Sequence, residues 1–275
     1  MSRSSATTTE ALSCVSTKEL PETLPGARPE LLVLADAEAV AERVAQLLLE
    51  ERLLRPERPL GLATGRTMEP VYQALGRAFL AQPAAERQRL RRQWLSFNLD
   101  EYVGLAPDHP GSFAATMTAA LVAPLELDPR TVHLPAGLGP DPQREAERYG
   151  QALADEGGIG LQLLGLGLNG HVGFNEPPCG PMAACRCVEL QQGTREANAP
   201  AFGGDPAAVP ERAITLGLRE ILEARRVVLV VTGAAKAGVL RRFLEQPPTP
   251  ELPASWLHGH PAVQVIVDEA ALGTQ

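Results

Sequence analysis

A chain of 275 residues can bury a substantial core, and a net charge of −8 without a long basic run speaks against a nucleic-acid partner. No stretch reaches the ~20 consecutive apolar residues of a membrane helix, and no basic-then-apolar leader opens the chain, so no membrane partner and a cytoplasmic location are expected. Four cysteines do not make a disulfide framework.

Residues 1–29 are rich in Ser, Thr, Pro and Glu and lack apolar periodicity, a composition that cannot offset the entropy of ordering. They are expected to form a disordered tail, with residues 30–275 as a single domain. From Leu31 onward short apolar runs alternate with helical patterns. The runs at 31–34, 60–63, 94–98, 132–134, 161–166, 227–231 and 263–267 read as strands. Between the first two, Val40, Val44, Leu47 and Leu48 share one face of a helix over 38–54. This alternation predicts the α/β class: a doubly wound, mostly parallel sheet with helices on both faces, Rossmann-like in layout. Ligands of such sheets bind beyond the carboxyl ends of the strands, so the loops that follow the strands are where chemistry is expected.

After the second strand come Thr64, Gly65, Arg66 and Thr67, followed by a helical pattern over 69–80. Backbone N–H groups of a small-residue loop at a helix N-terminus suit a phosphate, although the stretch is neither a Walker loop nor a dinucleotide fingerprint and a plain tight turn would read the same. After the third strand, Asp100 and Glu101 lie between Phe97, Leu99, Tyr102 and Val103. Adjacent acids at a strand end are often solvated charges or caps, but apolar flanks would desolvate a carboxylate and raise its pKa towards the range of a general base. His109, Pro110 and Ser112 follow closely enough to close this rim.

The residues from Gly165 to Gly170 match G-x-G-x-x-G letter for letter, with Glu189 about 20 residues on. A dinucleotide site needs a helix to begin there, whereas this loop runs through His171 and Glu176 into Pro177 and Pro178, so no such cofactor is expected. A lone loop histidine is more often structural than catalytic; paired with Glu176 and facing the acidic loop, His171 is a candidate for proton transfer. Cys179, Cys185 and Cys187 are close in sequence, but a zinc site would want a fourth ligand; Cys14 lies in the tail and His171 has this other use. Free thiols and no metal are therefore expected.

With these residues in place, the chain resembles the glucosamine-6-phosphate deaminases, also called glucosamine-6-phosphate isomerases, from about Leu31 to Leu272. The resemblance rests on LATGRT at 62–67, FNLDEYVGL at 97–105, HPGSF at 109–113 and GLGLNGHVGFNEP at 165–177, with AITLGL at 213–218, TGAAKA at 232–237 and VIVDEAA at 265–271. It implies conversion of glucosamine 6-phosphate and water to fructose 6-phosphate and ammonia without an organic cofactor. It also implies Asp100 as the base moving a proton between C2 and C1 through an enediol-type intermediate. His171 would assist ring opening, oriented by Asn169 and Glu176, and the loop of Thr64, Gly65, Arg66 and Thr67 together with Lys236 would hold the phosphate of this small-molecule partner. A homo-oligomer is compatible with the sequence.

Several positions depart from the family pattern. Asn169 stands where many members have Asp, and an amide can orient an imidazole but cannot stabilise its cation by charge. Pro200 replaces an arginine that grips the phosphate, and Arg66 stands where Ser or Gly is usual. Pro178, Cys179 and Val188 replace residues that some members use for an allosteric amino sugar, so that site is not expected here. The competing readings are a 6-phosphogluconolactonase-type hydrolase, which FNEP and DEYVGL argue against; a sugar-phosphate-binding regulator, which the intact Asp100, His171 and Glu176 argue against; and a deaminase or isomerase of a different amino sugar.

Overall fold

The computed structural model describes residues 29–273, so the expected tail, up to residue 28, lies outside the described residues. Ten strands are present among the described residues: β1 (Glu30–Leu34), β2 (Leu60–Leu62), β3 (Ser96–Asn98), β4 (Asp100–Tyr102), β5 (Val132–His133), β6 (Leu161–Gly165), β7 (Arg186–Glu189), β8 (Arg212–Thr215), β9 (Arg226–Val231) and β10 (Val263–Asp268). The helices are α1 (Ala37–Leu54), α2 (Glu69–Leu80), α3 (Ala84–Gln93), α4 (Phe113–Met117), α5 (Ala123–Leu125), α6 (Pro142–Asp155), α7 (Gln192–Asn198), α8 (Leu218–Leu222) and α9 (Ala237–Glu245). A π-helical segment, Thr118–Val122, joins α4 to α5.

Seven strands form the central sheet in the order β1-β10-β9-β6-β2-β3-β5, and every neighbouring pair is parallel. Each of the seven apolar runs of the sequence supplies one of these strands. The interior strands β9 and β10 read as near-continuous Val, Leu and Ile because a parallel sheet covered on both faces buries both sides of a strand. Helix α1 starts where the Asp36 side chain accepts from the Ala39 N–H, and it buries Val40, Val44, Leu47 and Leu48 against the core. Helix α2 covers the residues its periodicity predicts.

The chain runs outward through β2, β3 and β5, then returns to lay β6 beside β2 before running the other way through β9 and β10. The switch point thus falls between β2 and β6, which brings the loops after them together at the carboxyl edge of the sheet. A second, three-stranded antiparallel sheet, β4-β8-β7, stands over that edge. It encloses a small core of Tyr102, Phe174, Leu190, Val209 and Ala213, against which Phe113 and Phe202 pack. The sequence reading ends the third strand at Asn98 and leaves Asp100 and Glu101 in the loop that follows. In the structure the chain turns at Leu99, whose N–H bonds the Leu62 carbonyl and whose carbonyl receives the Leu216 N–H, and Asp100 then opens β4.

Candidate active site

Asp100 pairs with Thr215 across β4 and β8, and the residue is 6% exposed. Burial pushes its pKa up to about 8, and the neighbouring charge of Glu101 adds to the rise. Its Oδ2 lies 3.5 Å from where a Cβ on Gly173 would stand, two residues beyond His171. Gly173 has φ +57 and makes this close approach without a side chain. Strand alternation turns Glu101 away from Asp100, and its carboxylate accepts from the N–H groups of Tyr102, Phe113 and Ala114 at 2.8, 3.0 and 2.8 Å. Glu101 is therefore a cap for α4, and the two adjacent acids have separate uses.

Among residues 166–185 no helix begins, as the run into Pro177 and Pro178 leads one to expect. His171 Nδ1 lies 2.6 Å from Asn169 Oδ1, and the His171 main-chain N–H donates to the same oxygen at 3.2 Å. The ring lies so close over Gly167 that a Cβ there would sit 2.3 Å from Cε1. Burial, and after it the charge of Lys236, lowers the His171 pKa to about 4. Glu176 does not pair directly with the imidazole as the sequence reading suggests. Its Oε1 is 3.5 Å from Asn169 Nδ2 and accepts from the Thr194 hydroxyl, while Oε2 accepts from the Gln191 N–H at 2.8 Å. The order is thus Glu176, Asn169, His171. The loop is braced from below by Asn175, whose amide is fully paired with the carbonyls of Val172 and Leu216 and with Arg186.

The loop of Thr64, Gly65, Arg66 and Thr67 turns at Gly65, which has φ +107, and the Met68 N–H bonds the Gly65 carbonyl at 2.8 Å before α2 begins. The buried Tyr72 hydroxyl ties the first turn of α2 back to the Ala63 carbonyl at 2.6 Å. Lys236 follows β9 and donates to the Leu166 carbonyl at 2.7 Å, which carries its ammonium to the end of β6. Its pKa is lowered first by burial and then by the charge of Arg66, so the two cations share one field. Asp268, at the end of β10, sets the turn that presents Lys236. Its carboxylate accepts twice from the Gly233 N–H at 3.0 Å and once from Ala271 at 2.8 Å.

Sequence reasoning thus missed the supporting residues Thr194, Gln191 and Asp268. Only Asp268 carried a readable signal, an acid ending an apolar strand as Asp100 nearly does. Ser112 is buried and caps α4, whereas His109 and Pro110 stay exposed. Cys179 and Cys185 are buried and Cys187 is half-buried, all as free thiols.

A doubly wound sheet whose switch point gathers a desolvated carboxyl, an amide-held imidazole and two cations is an arrangement suited to acid–base chemistry on a small anionic substrate. Residues 33–266 match the family of glucosamine-6-phosphate isomerases and 6-phosphogluconolactonases, and the chain belongs to that family. It is 42% identical over 242 residues to the glucosamine-6-phosphate deaminase of Rhodopirellula baltica, covering 88% of this chain and 94% of that one. Identity with the glucosamine-6-phosphate deaminase of Geobacillus sp. is 38% over 246 residues, with coverage of 88% and 94%. A solved glucosamine-6-phosphate deaminase described as monomeric superimposes with a TM-score of 0.83 at 32% identity, over 90% of this chain and 100% of that one. The 6-phosphogluconolactonase of Trypanosoma brucei, at 20% identity and a TM-score of 0.70 over 90% and 98%, shares the fold alone. Among the described residues no helix is long and apolar enough to cross a membrane.

Proposed function

We propose that this enzyme converts glucosamine 6-phosphate and water to fructose 6-phosphate and ammonia, with Asp100 as the base and His171 opening the ring. The observation that carries the assignment of chemistry is the buried Asp100 carboxyl, brought against the His171 loop in a chain so closely related to deaminases. In the reaction so read, His171 Nε2 takes the proton of the anomeric hydroxyl and returns it to the ring oxygen, giving the open-chain aldehyde. Asp100 then removes the C2 proton while a proton of the substrate's ammonium group passes to O1, giving an enolamine; Asp100 returns its proton to C1, and water adds to the resulting C2 imine and expels ammonia.

The substrate's ammonium group favours an ionised Asp100 on binding, because an opposite charge in a dry site offsets the desolvation that keeps the free carboxyl protonated. Arg66, Lys236 and the amides of the Thr64 to Thr67 loop form the phosphate end, at the start of α2. A cytoplasmic location follows from the same reading, since a phosphorylated sugar does not cross membranes unaided.

The test is ammonia release across a panel of phosphorylated and unphosphorylated amino sugars, run beside hydrolysis of 6-phosphogluconolactone. Ammonia from glucosamine 6-phosphate, well above all other substrates, is the expected result. Preference for another amino sugar, or lactone hydrolysis without ammonia, would replace the reading.

A further inference from the structure

Three side chains next to His171 stand in a series whose polarity is fixed from its far end. Pro177 offers a main-chain carbonyl and Glu176 a carboxylate, and both groups face Gln191 or Asn169 as acceptors. Gln191 Nε2 donates to the Pro177 carbonyl at 2.7 Å, so the atom Gln191 turns towards Asn169 is its oxygen, 3.5 Å from Asn169 Nδ2. Glu176 Oε1 lies 3.5 Å from that same nitrogen. Reversing the Asn169 amide would set its oxygen against a carboxylate oxygen and a carbonyl oxygen together, an arrangement without a proton to share. Asn169 Oδ1 is therefore the atom that meets His171, at 2.6 Å from Nδ1. An amide oxygen only accepts, which places the imidazole proton on Nδ1 and leaves the lone pair on Nε2.

The far end of the series is held by the residues that open α7. Besides the bond from its side chain, Gln191 gives its main-chain N–H to Glu176 Oε2 at 2.8 Å, and the buried Thr194 hydroxyl donates to Glu176 Oε1. We propose that Gln191 and Thr194 are positioning residues that fix the Asn169 amide and, through it, hold His171 as its Nδ1–H tautomer with Nε2 free to accept a proton. Only the identity of the proton that Nε2 accepts rests on the function proposed above; the tautomer does not. The device also works without charge, because an amide stands between the carboxylate and the ring.

The experiment is nitrogen NMR of the full chain with 15N-labelled histidine, the His171 signals being assigned by their loss in His171→Gln. At pH 7 the wild-type protein is expected to show Nδ1 in the protonated range and Nε2 in the lone-pair range. The double variant Gln191→Met/Thr194→Val should average the two signals and lower kcat up to about tenfold, the worth of one hydrogen bond, with KM little changed. Adding back the hydroxyl as Gln191→Met/Thr194→Ser should restore most of the pattern. A wild-type His171 protonated at Nε2, or a folded double variant that keeps the wild-type pattern, would overturn the proposal. Should the double variant fail to fold, Gln191→Met alone, at an exposed position, is judged by the same two criteria. A wild-type spectrum as expected alongside no ammonia release would remove the proposed reaction and leave the tautomer assignment standing.

Discussion

Replacing Asp100 by Asn should cost activity and add stability. The Asp100 carboxyl moves from 3.8 to about 8 on burial beside Glu101. The folded protein thus keeps a proton that the unfolded chain has already released throughout the window from about 4 to 8, so stability falls as pH rises through it. At about 1.4 kcal/mol per pH unit, the ionisable carboxyl withholds on the order of 5 kcal/mol from the folded state above pH 8. The amide introduced by Asp100→Asn would not ionise but would keep a desolvation cost of ~1–3 kcal/mol, so a net gain of ~2–4 kcal/mol is expected at pH 9. Below pH 4, where the wild-type carboxyl is protonated in both states, only the desolvation cost of the amide remains, and the gain should turn into a loss of ~1–3 kcal/mol. Urea unfolding of both proteins from pH 4 to 9 measures this, and other titrating groups cancel in the difference. A stability difference that does not change with pH would refute the argument from burial. Ammonia release should fall by ~10²-fold or more, the loss of a general base, and near-normal turnover would assign the base elsewhere.

The remaining predictions address the other parts of the site. His171→Gln should slow the cyclic sugar far more than an open-chain analogue, and equal losses on both would remove His171 from ring opening. Because His171 is held near 4 and Asp100 near 8, kcat/KM should rise between pH 6 and 8 with no inflection in the ordinary imidazole range; an inflection near 6.5 that His171→Gln abolishes would contradict this. Arg66→Ser should raise KM for a phosphorylated sugar about tenfold or more, the loss of a charge-assisted bond of ~1.5–3 kcal/mol, while sparing an unphosphorylated analogue. Unchanged KM would leave the anion to Lys236 and the loop amides.

How much of this was legible in the sequence depends on how far each feature extends along the chain. β9 and β10 announce themselves by six-residue runs in which nearly every position is buried, and α2 by its periodicity. The sheet β4-β8-β7 does not, since its strands are three or four residues long and include Asp100, Glu101, Arg186, Glu189 and Arg212. Its stability comes from cross-strand pairing between residues as far apart in the chain as Asp100 and Thr215, which no local window contains. The same limit separates the site residues. Asp100 and His171 stood out because an acid or an imidazole in an apolar or glycine-rich loop is locally odd. Thr194 and Gln191 look like any polar pair at a helix start, and become part of the site only because the fold lays α7 against Glu176.

The environment inverts the usual order of the two groups proposed to transfer protons. In water a carboxylic acid ionises well below an imidazolium, but here Asp100 holds its proton to about pH 8 and His171 gives one up near pH 4. Both shifts come chiefly from burial, and each has a second contribution of matching sign: Glu101 beside the carboxyl, Lys236 beside the ring. An aspartate at position 169 would oppose the second shift by stabilising the imidazolium; the asparagine found there does not. The inversion suits the two tasks. A carboxylate of raised pKa is a stronger base for a carbon-bound proton, and an imidazolium of lowered pKa returns its proton readily to a ring oxygen. Asn169→Asp should therefore raise the His171 pKa and slow that return while leaving proton removal by Asp100 unchanged. On an open-chain analogue, which skips ring opening, the variant should match the wild-type rate, and an equal loss on cyclic and open-chain substrates would show that the charge at position 169 acts elsewhere.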